Sequence, residues 1–151
     1  MERVWTPQRV LLVEPDPTRW PELRQAGRGG FAIEICGDFT EARHSLMNRP
    51  PPLLVTNLRL GAYNGLHLVY LIAANKYATR TVVYSSHQDL ALIEEAQSIG
   101  SFYEPSHRLV NALSGYIHAA LPKFDRRSPS AGDRRRLFRG GRRSADIALT
   151  T

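Results

Sequence analysis

The strongest constraint on what this chain can fold into is a strict alternation: short apolar runs take turns with longer stretches whose apolar residues recur at helical spacing. The runs are Val10 to Val13, Phe31 to Cys36, Leu53 to Thr56, Thr81 to Ser85 and Ser101 to Tyr103, bounded by Pro, Gly, Asn or Asp. The helical stretches carry Phe39, Ala42 and Leu46; Leu66, Val69, Tyr70, Ala73 and Tyr77; Leu92, Ala96 and Ile99; and Val110, Leu113, Ile117 and Leu121. Thr18 to Ala26 is a weaker segment, with Pro21 tolerable only near a first turn. Asp38, Asn64, Asp89 and Ser106 each offer a capping oxygen near a helix start. Strand and helix in strict alternation imply parallel strands joined by right-handed crossovers, with helices on both faces. The fold class is therefore α/β, a doubly wound five-stranded parallel sheet with five helices. The expected strand order is 2-1-3-4-5, which puts a ligand site at the carboxyl ends of the first and third strands. Those ends are Glu14 to Asp16 and Asn57.

The chain's 151 residues, 42% of them hydrophobic, suffice for one core of ordinary size and leave little for a second. Its net charge of +6 is unevenly placed. Residues 1 to 121 hold 11 basic and 11 acidic side chains, whereas residues 122 to 151 hold 9 and 3, so the final segment carries the whole imbalance. That segment groups Arg134, Arg135, Arg136, Arg139, Arg142 and Arg143 among Ser, Gly and Pro, with too few large apolar residues to offset the entropy of ordering it. A domain over 1–121 followed by a disordered basic tail over 122–151 is the expectation. No apolar run approaches the ~20 residues of a membrane span, and the start lacks a secretory pattern, so a cytoplasmic location without membrane contact is expected. Cys36, the only cysteine, reads as a buried hydrophobe. The five histidines share no metal-binding spacing, and Gly27-Arg28-Gly29-Gly30 precedes a strand rather than a helix, which makes it a turn and not a phosphate cradle.

Four landmarks fall in a recognisable order: Val13-Glu14-Pro15-Asp16, Asn57 with Arg59 and Gly65, Val83-Tyr84-Ser85-Ser86, and Gly100-Ser101-Phe102-Tyr103-Glu104-Pro105. Over about residues 8 to 121 the chain resembles the receiver domains of bacterial response regulators, of flavodoxin-like fold. The resemblance implies an acidic cluster for Mg2+ at Glu14 to Asp16, a phosphoacceptor at position 57, a hydroxyl at Ser85, a lysine at position 104 and a switch aromatic at position 101. The sequence departs from that pattern: Pro15 takes a metal-binding position, Asn57 the nucleophile's, Glu104 the lysine's and Ser101 the aromatic's. An amide is a far poorer nucleophile than a carboxylate, and Glu104 reverses charge where phosphate needs a cation.

The resemblance thus implies a degenerate receiver: not an enzyme, without cofactor or metal, and working through protein contacts in a two-component-type system. A signalling protein would be its partner, and a homodimer through the face of the fourth helix, fifth strand and fifth helix is a further implication. The alternative is association with nucleic acid or another polyanion through the arginine-rich tail. Two further expectations are open to structural check. Glu14, Asp16 and Glu104 read as a solvated acidic rim, and the Glu104–Pro105 peptide bond is expected cis, as in the family.

Overall fold

The computed structural model describes residues 9–27 and 32–118. Its central sheet contains β1 (Arg9–Val13), β2 (Ala32–Cys36), β3 (Leu53–Asn57), β6 (Arg80–Ser85) and β7 (Phe102–Pro105), all parallel, in the order β2-β1-β3-β6-β7. Among strands of this sheet that is the expected 2-1-3-4-5 order. β4 (Arg59–Leu60) and β5 (Tyr63–Asn64) form a separate antiparallel hairpin within what the sequence presented as a loop. Gly61, at φ 66°, takes the first position of its two-residue connection, where a primed turn favours glycine.

The helices are α1 (Trp20–Ala26), α2 (Phe39–Asn48), α3 (Leu66–Asn75), α4 (Leu90–Ser98) and α5 (Ser106–His118), with a 3-10 turn at Pro17–Arg19 leading into α1. The three central strands are buried along nearly their whole length, because alternate residues feed opposite faces of the sheet. Val10, Leu12, Val55, Val82 and Tyr84 pack with Leu23 of α1 and Leu109, Leu113 and Ile117 of α5. On the other face, Leu11, Val13 and Leu54 meet Ala42 and Leu46 of α2 and Leu68 and Ile72 of α3. Val83 and Tyr103 meet Val69 of α3 and Ile93 and Ala96 of α4. Apolar alternation in the strands and the 3.6-residue stripe in the helices are thus two halves of the same core.

Local chemistry fixes where the helices begin. Asp38 accepts from the Glu41 N–H at 2.8 Å and the Glu41 carboxylate accepts in turn from the Gly37 N–H at 3.1 Å. Asp89 caps α4 through the Leu92 N–H, and Asn64 accepts from the Leu66 N–H at 2.8 Å. Ser106 departs from expectation: it is the first residue of α5, and its hydroxyl accepts from Arg19 instead of capping the helix. The Glu104–Pro105 bond is a second departure, since no cis peptide occurs among the described residues. Both residues continue β7 in register with Tyr84 and Ser85, and an extended residue before proline is compatible with an ordinary trans bond. Residues 28–31, which include the Gly-rich turn and the expected strand start at Phe31, lie outside the described residues, as do Leu121 and the tail.

Candidate functional site

The carboxyl ends of β1 and β3 adjoin, as the strand order requires, and Glu14 follows directly on β1. The residue is nearly inaccessible, at 2% exposure. The Tyr84 hydroxyl donates to Glu14 Oε1 at 2.6 Å, the Asp16 N–H donates to Oε2 at 2.9 Å, and Arg19 Nη1 stands 3.6 Å from Oε1. Asn57 Nδ2 donates to the same Oε1 at a long 3.5 Å. A buried carboxylate requires such partners, and here they are all donors from the protein itself. Arg19 in turn donates to the Ser106 hydroxyl at 2.6 Å and pairs with Glu22 at 3.2 Å, so its guanidinium ties the first strand's exit to the start of α5.

Tyr84 is fully buried and also donates towards the Val13 carbonyl at 3.0 Å. Burial first, then the adjacent Glu14 carboxylate, hold its phenol well above its ordinary pKa. Asn57 spends its other end locally: Oδ1 accepts from the Arg59 N–H at 2.9 Å. Behind it, Gly65 is required by close approach, because a Cβ there would stand 2.3 Å from the Asn57 carbonyl oxygen.

The expected acidic rim is not solvated as a whole. Glu14 is buried, and Glu104 is 8% exposed and accepts from the Tyr116 hydroxyl at 2.6 Å. Both carboxylates sit where the fold supplies donors, which removes the need for water around them. Asp16 alone is exposed, and its Oδ1 accepts from the Thr18 hydroxyl at 2.7 Å and the Thr18 N–H at 3.0 Å. These bonds lower its pKa, the hydroxyl's contribution being the larger. Pro15 is exposed and offers no ligand atom on its side chain.

Ser85 Oγ donates to the His87 carbonyl at 2.7 Å and lies 3.1 Å from the Tyr103 hydroxyl. Ser101 is fully buried. The aromatic whose hydroxyl meets Ser85 is Tyr103, two residues beyond Ser101. Tyr103, Tyr84, Tyr116 and Arg19 were all missed as site residues from the sequence. A tyrosine in a buried strand must find a partner for its hydroxyl, which was a usable signal for Tyr84. Arg19, in the weakest helical segment, gave none.

These residues do not suit Mg2+. The cation needs several oxygen ligands in octahedral array, but Glu14 is held by protein donors, Asp16 bonds Thr18, and position 57 offers a neutral amide. Among the described residues no group of three His, Cys, Asp or Glu side chains is placed to hold a metal ion. The buried acid of the site, Glu14, is paired with a partly exposed cation of the protein itself, Arg19.

No protein-family model matches the chain. It is 31% identical over 99 residues to the acid tolerance regulatory protein ActR of Sinorhizobium medicae, covering 63% of this chain and 50% of that protein. It is 30% identical over 93 residues to the photosynthetic apparatus regulatory protein RegA of Cereibacter sphaeroides, covering 61% and 50%. The chain thus spans about half the length of the curated relatives it matches. A response regulator receiver domain protein from Methanospirillum hungatei superposes with a TM-score of 0.66 at 15% identity, over 74% of this chain and 94% of that one. A two-component response regulator of the LuxR family from Aurantimonas gives 0.63 at 23% identity, over 90% of this chain and 100% of that one. The described residues have the receiver fold, and no helix among them is long and apolar enough to cross a membrane.

Proposed function

We propose that this chain is a receiver-type module that accepts no phosphoryl group and works instead by binding a signalling protein in a two-component-type system. One observation carries this reading: the Glu14 carboxylate is consumed by Arg19, Tyr84 and backbone, beside an amide at position 57. Phosphoryl transfer to a receiver needs a carboxylate nucleophile and cations for the developing charge. Asn57 supplies no nucleophile, and Glu104 adds a negative charge where the product would need a positive one. We accordingly assign no enzymatic activity and a cytoplasmic location. The relatives are named as regulatory proteins, which is consistent with a signalling role, and the face of α4, β7 and α5 is the surface we assign to a partner or a second copy.

A second reading rests on charge placement: the segment after residue 121 carries the whole net charge of +6. Nucleic acid or another polyanion binding there through Arg134, Arg135, Arg136, Arg139, Arg142 and Arg143 would be dominated by counterion release. Intact-mass measurement after incubation with acetyl phosphate and Mg2+ tests the first reading, with an unmodified chain expected; an acid-labile adduct at the β3 end overturns it. Capture of partners by the full chain and by a version ending at Leu121, at several salt concentrations, separates the two readings. Partner binding retained by the shorter version supports the domain, and salt-sensitive binding lost with the tail supports the polyanion.

A further inference from the structure

The opposite end of the sheet holds a cavity of about 480 Å³ between the C-terminal ends of α3 and α4, over the start of β6. That is within the ~300–1,000 Å³ range of small-molecule sites. Its lining is mixed, joining the apolar Val69, Ile72 and Ile99 to the cations of Lys76 and Arg80. Thr81 also lines it. This residue is 4% exposed, and its hydroxyl has no hydrogen-bond partner among the described residues, whereas neighbouring Thr79 donates to the Pro51 carbonyl at 2.6 Å. A hydroxyl on the cavity wall without a protein partner is open to bond a ligand's polar head.

We propose that this cavity is a binding site for a small amphipathic carboxylate, with its apolar body between α3 and α4 and its head against Thr81 and the two cations. The negative ends of two helices also lie here and oppose an anion. Each is worth roughly half an elementary charge, and several of their terminal carbonyls are already taken: the Tyr77 N–H donates to the Ile72 carbonyl, the Lys76 N–H to the Ala73 carbonyl and the Ser101 N–H to the Ala96 carbonyl. The charges of Lys76 and of Arg80, whose Nη1 also donates to the Ala78 carbonyl at 3.4 Å, outweigh what remains. Lys76, which lines the cavity, stands in the left-handed backbone turn that ends α3, at φ 56°. Nothing in this assignment depends on Asn57 or on the signalling role.

The test is methyl NMR of the full chain titrated with octanoate, octylammonium and octan-1-ol. Octanoate should shift the methyl groups of Val69, Ile72 and Ile99 saturably, octan-1-ol more weakly and octylammonium not at all. Lys76→Gln should weaken octanoate binding roughly fivefold, the size of one partly solvated charge contact, and Thr81→Val should weaken it further. Ala73→Phe, at an exposed position on the cavity wall, should abolish the shifts while leaving signals on the far face of the sheet in place. Methyl groups that ignore octanoate, respond equally to octylammonium, or still respond in Ala73→Phe would overturn the proposal.

Discussion

Glu14 decides the character of the site, because its burial leaves a charge that the protein must answer from within. Tyr84 gives the shortest of those answers, and Tyr84→Phe should cost about 1–3 kcal/mol, read from denaturant unfolding, since it removes a donor from a buried carboxylate. The same contact sets a pH dependence. The folded state keeps the Tyr84 proton that the unfolded chain releases near the ordinary value of 10.0. The stability it contributes is therefore complete below that pH and falls as pH rises beyond it. Tyr84→Phe should remove this alkaline loss, and tyrosinate absorbance followed alongside circular dichroism checks it. Gly65→Ala should destabilise by roughly 1–3 kcal/mol, as overpacked sites do, because the colliding atom is the Asn57 backbone and not a flexible side chain. Asn57 and Gly65 were legible in the sequence through their spacing. The convergence of Arg19 and Tyr84 on Glu14 was not, because it exists only once β1, β6 and the 3-10 turn at Pro17–Arg19 are packed together.

At the scale of elements, alternating apolar runs and helical stripes located all five sheet strands and the helices, since each is half of a buried interface. Their ends were less legible. β7 extends to Pro105 instead of Tyr103, because pairing with β6 continues through Ser85. The hairpin of β4 and β5 escaped notice because two-residue strands leave no periodicity to read. The trans bond before Pro105 corrects an expectation that came from family resemblance alone. Asp38 behaves as its position implied, accepting from the Glu41 N–H at the start of α2 while Glu41 accepts from the Gly37 N–H, and Asp38→Ala should cost about 1 kcal/mol in thermal or chemical unfolding. An unchanged midpoint would mean that water replaces the cap without loss.

For the molecule as a whole, the core is built by α1 and α5 on one face and α2, α3 and α4 on the other, and the segment after residue 121 has little apolar material to add to it. A chain ending at Leu121 should therefore keep its thermal midpoint within a few degrees, a change below ~1 kcal/mol, and a large loss would mean that the tail packs as structure. The central claim concerns chemistry closed off by the protein's own side chains, not merely the absence of one carboxylate. Asn57→Asp isolates that claim. The new carboxylate would face Glu14, still held by Arg19 and Tyr84, with Pro15 and Glu104 unchanged. Intact mass of this single variant after acetyl phosphate and Mg2+ should show little or no phosphoryl adduct, and combining it with Pro15→Asp and Glu104→Lys should be needed to raise the yield. Efficient phosphorylation of Asn57→Asp alone would contradict the account.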